Sequence, residues 1–187
     1  CFQSKTGEVL WSKDLNDEYD IKMPIWGIAA APLIVDNKII LNIGGQNNAC
    51  VVALNKITGK EFWRNLNDNA SYSAPILIEQ FNKPVVVIWT GEHVVGLNPN
   101  TGSRYWQQEF KQSKMIINIS SPVFHNNYLF VSSFFDGAML LKLDTSKMGA
   151  KKIWQRSGEN ERNTDALHCC ISTPLLKGDF IYGVDSY

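Results

Sequence analysis

The sequence predicts an all-β fold, a β-propeller built of four-stranded antiparallel blades. Three observations lead there. A Trp that follows a Thr-Gly turn recurs at Trp11, Trp63 and Trp106, and in a looser setting at Trp154. A Pro after a small residue recurs at Pro32, Pro75, Pro122 and Pro174. The distance from each Pro to the next Trp is nearly constant, at 31 (32 to 63), 31 (75 to 106) and 32 (122 to 154) residues. A fixed module of this kind, repeated every 43 to 52 residues, is the mark of a repeat architecture.

The modules read as strands. "APLIVDNKIILNIGG" is two apolar runs around Asp36-Asn37, and "ACVVALNKITGKEFW" is two more around Asn55–Gly59. Short apolar runs divided by Asn, Asp and Gly signal antiparallel hairpins. "APILIEQFNKPVVVIWTG" and "SPVFHNNYLFVSSFFDG" repeat the first half of the unit. No stretch of ten or more residues carries helical periodicity. In the turn before each Trp, Asn55 and Asn98 are placed to bond backbone amides two residues on, and Gly59 and Gly102 to adopt positive φ. Trp11, Trp63, Trp106 and Trp154 then have a structural docking role, each a flat surface for a neighbouring blade. The distance from each Trp to the next Pro varies (21, 12, 16 and 20 residues), so those stretches are surface linkers.

Bulk properties exclude several classes. The 18 Lys and Arg balance the 18 Asp and Glu, so no field draws the chain to nucleic acid or to an anionic membrane. No run of about 18 apolar residues is present to span a bilayer, and no leader pattern precedes the first repeat. Four cysteines in 187 residues are too few for a disulfide scaffold.

At "ALNKITGKEFW", "CFQSKTGEVLW" and "GLNPNTGSRYW" the sequence resembles the pyrroloquinoline-quinone-type (PQQ-like) repeat family, in the quinoprotein alcohol dehydrogenase-like superfamily. Blades of that family carry A-x-D-x-x-T-G-x-x-x-W, with a small first residue and a docking Trp; Cys1, Ala53 and Gly96 match the small position. The fourth copy, "LDTSKMGAKKIW", departs, with Lys142 nearest the small position and Met148-Gly149 in place of Thr-Gly. "WGIAAAPLI" and "HCCISTPLLKGDFIYGVDSY" are most similar to bacterial polyvinyl-alcohol-dehydrogenase-like proteins. The resemblance implies a ring of seven or eight blades and a periplasmic or secreted location.

Register against that family divides the chain into a half blade (1–24), blades at 25–66, 67–110 and 111–157, and a half blade (158–187), a partial propeller of about four blade-equivalents. A four-bladed ring closed by its two ends is the alternative. Cys1 aligns with Ala53 in a strand, which argues against a lipid-anchored terminus.

A site is expected on the face formed by the linkers at 12–31, 64–74, 107–121 and 155–173 and the loops at 44–49, 90–93 and 134–138. Trp26, Tyr72, Asn118 and His168 are the binding candidates at the channel mouth: Trp26 for stacking on a flat ligand, Asn118 and His168 for hydrogen bonding, and Trp26 with Tyr72 as the exposed aromatic residues that a sugar- or polymer-binding module needs. Cys169-Cys170 matches the adjacent cysteines of some quinoproteins, but successive strand residues point to opposite faces, which favours two packed thiols. The same geometry disfavours a metal set of Asp165, His168, Cys169 and Cys170, and no metal site is expected. His93 and His125 fall in turns, and the triplets at Asn69 and Asn118 match glycosylation sequons by chance. No nucleophile elbow, phosphate loop or dinucleotide motif is present, and no catalytic residue is assigned. Two functions remain. One is a non-catalytic binding or scaffold module for a protein or polymer partner, with no cofactor evident in the sequence. The other is a PQQ-dependent alcohol dehydrogenase with PQQ and calcium in the central channel.

Overall fold

The computed structural model describes residues 1–185. Three four-stranded antiparallel sheets follow one another, each a meander in sequence order. The first holds β1 (Leu33–Val35), β2 (Lys38–Gly45), β3 (Ala49–Asn55) and β4 (Glu61–Asn65). The second holds β5 (Ile76–Gln80), β6 (Lys83–Trp89), β7 (His93–Leu97) and β8 (Arg104–Glu109). The third holds β9 (Val123–His125), β10 (Tyr128–Ser133), β11 (Gly137–Leu143) and β12 (Ala150–Arg156). A two-stranded sheet, β13 (Leu175–Lys177) with β14 (Phe180–Tyr182), follows, and a Phe2–Val9 bridge precedes them. The last two residues of the half blade expected over 158–187 lie outside the described residues.

The one helix among the described residues, α1 (Leu15–Tyr19), spans five residues in the first linker. Asp14 starts it by accepting from the Asn16 and Asp17 amides, and Asp20 ends it in the left-handed region at φ 48°.

The inner hairpins close in two residues, which demands left-handed backbone. Asp36 opens the first (φ 53°), and Asn126 and Asn127 form the third (φ 49° and 64°). The second uses Phe81-Asn82 (φ 47° and 55°), so an aromatic residue sits where Asn or Gly is favoured.

Packing is between sheets, and both faces of each middle strand are used. Along β6, Val85, Val87 and Trp89 join a cluster with Leu129, Val131 and Met139 of the third sheet. Val86 and Ile88 face the other way, with Ile40, Val51 and Ala53 of the first. A third cluster packs Tyr19 and Ile21 of the first linker against Ile43, Val52 and Leu54. Alternation therefore divides one apolar run between two interfaces, which is why the run carries no polar face.

The outer strands carry the repeated Trp, and each has a bulge at the same place. Trp63 pairs with Ala53 while Glu61 pairs with Leu54, so Phe62 is the extra residue. Tyr105 and Ile153 hold the same position before Trp106 and Trp154. The small residue thus faces the Trp of its own blade; a Cβ on Gly96 would collide with the Trp106 ring. The Trp then reaches the next blade's turn. Trp11 lies over Gly59, where an added Cβ would come within 2.8 Å of the ring, and its indole donates to the Lys56 carbonyl at 3.2 Å. Trp63 covers Gly102 in the same way and donates to the Pro99 carbonyl at 3.0 Å.

Each turn is built as the sequence suggests. Asn55 Oδ1 accepts from the Ile57 and Thr58 amides, and Asn98 Oδ1 from those of Asn100 and Thr101. Gly59 and Gly102 stand at φ 70° and 71°.

The third junction is different. Trp106 donates to Gln80 Oε1 at 2.8 Å, and Gln80 Nε2 donates to the Gly149 and Asp144 carbonyls at 2.6 and 3.1 Å. Buried Gln80 therefore bridges Trp106 to a turn that lacks Thr-Gly. Strand pairing also corrects one alignment: the residue opposite Trp154 is Leu140, not Lys142.

Two stability changes follow. Gly102→Ala forces a Cβ into the Trp63 ring at a positive-φ position and lowers unfolding free energy by about 2–4 kcal/mol in urea denaturation. Phe81→Asn relieves the strained turn and raises it by about 1 kcal/mol, with little packing lost because Phe81 is exposed.

Candidate functional site

Linkers and the loops between second and third strands meet on one face. Backbone bonds seat each linker on the blade that follows or precedes it. The Gln46 amide donates to Tyr19, Gly91 to Asn69 and Phe134 to Ile117. Deeper in, linker hydroxyls tie each linker to the second strand that follows it and to the next linker. Ser71 Oγ donates to the Trp89 carbonyl, Ser73 Oγ to Ser120 at 2.9 Å, and Ser120 Oγ to Ser132 at 2.8 Å. These buried polar groups are matched internally, so they rigidify the face rather than offer it to a ligand.

The expected channel-mouth residues separate into two sets. Asn118 is fully buried; its Nδ2 donates to the Thr90 carbonyl at 3.1 Å and its backbone carbonyl accepts from the Tyr72 amide, while Oδ1 has no partner among the described residues. His168 is fully buried too. Nδ1 meets the Phe134 carbonyl at 2.8 Å, and Nε2 meets Ser157 O at 3.0 Å and Thr164 Oγ1 at 2.8 Å. Both hold loops together. Trp26 instead is 58% exposed. Its amide donates to the Tyr72 hydroxyl at 3.3 Å, and the two rings lie 5.6 Å apart, tilted by 56°. Met23, Ile25 and Met115 are exposed beside it, around a groove of about 190 Å³ floored by Ala70, Tyr72 and Ile116. Lys22 is the one charged side chain lining that groove.

Cys169 is buried and Cys170 half-buried, both as free thiols. The Cys169 amide donates to Ser132 Oγ at 2.9 Å, so this segment too is anchored by its backbone.

A second, polar region was not evident in the sequence. A cleft of about 430 Å³ runs beside β4 and β8, and one of about 550 Å³ beside the loop at 46–48; Asn48, Asn67 and Asp68 line both. Asp68 comes from the linker, five residues past Trp63. Its Oδ2 accepts from the Thr90 hydroxyl and lies 2.9 Å from His93 Nδ1, and its Oδ1 accepts from the Asn69 amide at 2.7 Å. Glu92, from the loop after β6, completes a group in which one ligand atom from each residue lies within 4.8 Å of the others. His93, read from sequence as a turn residue, does sit at the start of β7 beside its turn, but bonded to this carboxylate.

Beneath the cleft lies Cys50, fully buried with Sγ 3.7 Å from Asn42 Oδ1. Burial first, and then the negative charge of Asp68, push its thiol well above the ordinary range.

The family model described as "Outer membrane protein assembly factor BamB" matches residues 1–187. No curated protein matches the chain. Among solved structures, BamB from Moraxella catarrhalis aligns with a TM-score of 0.59 at 16% identity, over 84% of this chain and 46% of that one. At that identity the likeness is one of fold, and the chain spans about half the length of that structure. No helix among the described residues is long and apolar enough to cross a membrane.

The raised Cys50 thiol predicts a pH effect. In the unfolded chain the thiol ionises above about pH 8.5, while in the fold it stays protonated. Its contribution to stability is therefore complete below that pH and is lost progressively as pH rises. Urea titrations between about pH 7 and 10 will show a slope that is smaller by about one proton in Cys50→Ala. Native alkylation will spare Cys50 until the protein unfolds.

Proposed function

The chain belongs to the PQQ-like repeat family whose model is described as outer membrane protein assembly factor BamB, and on that premise we propose that it is a non-catalytic binding module for a protein partner. The observation that carries this reading is the apolar patch on the linker face. Met23, Ile25 and Trp26 are exposed side by side, with Ile25 at 71%, next to Met115 from the linker two blades on. A contiguous apolar patch rimmed by polar groups is a typical protein-contact surface. Trp and Met are side chains that anchor or adapt in such contacts. The rigid belt beneath holds Tyr72, and Tyr72 in turn holds Trp26, so the anchor is set before binding.

The partner chemistry that suits the groove is an apolar, extended segment, laid across Trp26 and between Ile25 and Met115. The location we assign is periplasmic or secreted, in keeping with the family, and the polyvinyl-alcohol-dehydrogenase-like group is the subfamily its motifs point to. PQQ suits the groove less well. It is a planar acid with three carboxylates, and Lys22 is the only charged side chain there to receive them.

Titration with a peptide of alternating apolar residues tests the reading. Trp fluorescence will change saturably, and Trp26→Ala or Ile25→Ser will weaken binding by about tenfold or more. Saturable PQQ binding with calcium-dependent alcohol oxidation, in place of peptide binding, would overturn it in favour of the dehydrogenase.

A further inference from the structure

We propose that Asp68, Glu92 and His93 form a binding site for a divalent transition cation of the zinc type. Two carboxylates and one imidazole are a ligand set suited to such an ion. One ligand atom from each already lies within 4.8 Å of the others. Ligands at about 2.0–2.2 Å from zinc stand about 3.4 Å apart, so closure needs a shift of about 1.4 Å at most. Glu92 is the residue free to make it, since its carboxylate has no hydrogen-bond or ion-pair partner among the described residues.

Two further observations point to a cation. The Asp68 side chain is only 6% exposed, yet no Lys or Arg among the described residues pairs with it or with Glu92. Arg104, which lines the same cleft, is turned to Gln107 Oε1. An enclosed carboxylate whose nearest cationic candidate is a single imidazole is costly. The Asp68 charge is also not required for its own bond to the neighbouring strand. At the next junction the same linker-to-strand tie is made by a neutral residue, where Gln112 Oε1 accepts from the Ser133 hydroxyl at 2.9 Å. Asp68 accepts from Thr90 in the equivalent way, so its charge is surplus to that tie; Asp136, which stands just before β11 as Glu92 does before β7, accepts from the Ser113 amide, a bond that Glu92 does not make.

The supporting shell is in place. Thr90 and the Asn69 amide fix the Asp68 carboxylate, as outer donors do around metal ligands. The two clefts give an entry path, and a fourth position facing them would take water. Binding displaces the proton shared by His93 Nδ1 and Asp68 Oδ2 and replaces it with a 2+ charge against two carboxylates. The ion then joins the linker after β4 to the loop between β6 and β7.

The site is separate from the Trp26 groove, and the two readings fail separately. Chain freed of metal with a chelator is titrated with ZnCl2 by calorimetry and equilibrium dialysis. The expected result is saturable binding of about one Zn2+ per chain, with a raised melting temperature. Glu92→Gln and His93→Ala each weaken it by about tenfold or more. Trp26→Ala and Cys169→Ser with Cys170→Ser leave it unchanged. Circular dichroism checks that each variant is folded, and Glu92→Gln breaks no hydrogen bond of the native protein. Absence of saturable Zn2+ binding, binding indifferent to Glu92→Gln and His93→Ala, or binding of Ca2+ alone would each overturn the proposal.

Discussion

Everything in this molecule depends on one contact, the indole of one blade laid on the glycine turn of the next. It appears with Trp11 over Gly59 and again with Trp63 over Gly102. Three local features converge on it. The bulge at Phe62 or Tyr105 re-aims the Trp, the small residue opposite leaves room for the ring, and the Asx turn presents a bare glycine. None of these is stable by itself in a short hairpin. Each is paired with a partner on another blade, so local choices and long-range packing agree.

The third junction shows what the contact must supply. Here the turn has lost Thr-Gly, and the Trp106 indole cannot reach a carbonyl there directly. Gln80 restores the link, accepting from the indole and donating to the turn carbonyls. The same position in the first blade, Asp36-flanked Val35, carries an apolar residue, because there Trp63 reaches Pro99 without help. A glutamine read in isolation as a polar strand residue is therefore the adapter that lets a degenerate repeat stay in the ring.

This explains how far the sequence could be read. The strands, the hairpin turns and the Asn–Gly turns were legible because period-2 packing and positive φ leave few residue choices. The identity of the residue facing Trp154 was not, because a bulge shifts the register there and spacing alone counts through it. Of the candidates read from sequence, Trp26 and Tyr72 lie together at the groove. Counting back from each Pro locates equivalent backbone positions but not whether a side chain points to the funnel or into the blade interface. Asn118 and His168 point inward and bond to carbonyls; Trp26, on a linker of different length, stays outside.

Asp68, Glu92 and His93 were hidden for a related reason. Glu92 and His93 are adjacent, but Asp68 lies 24 residues before Glu92, across a strand pair (92 − 68 = 24). No metal motif has that spacing, because the distance is set by blade geometry and linker length. The available signal was comparative: Asp68 accepts from Thr90, just before Gly91, as Gln112 accepts from Ser133, just before Phe134. A repeat protein provides its own control in this way. At the Gln112 junction the one acid, Asp136, accepts from the Ser113 amide, whereas at the Asp68 junction Glu92 and His93 stand beside a carboxylate that is already bonded, so packing accounts for the first set and leaves the second to be explained by what it binds.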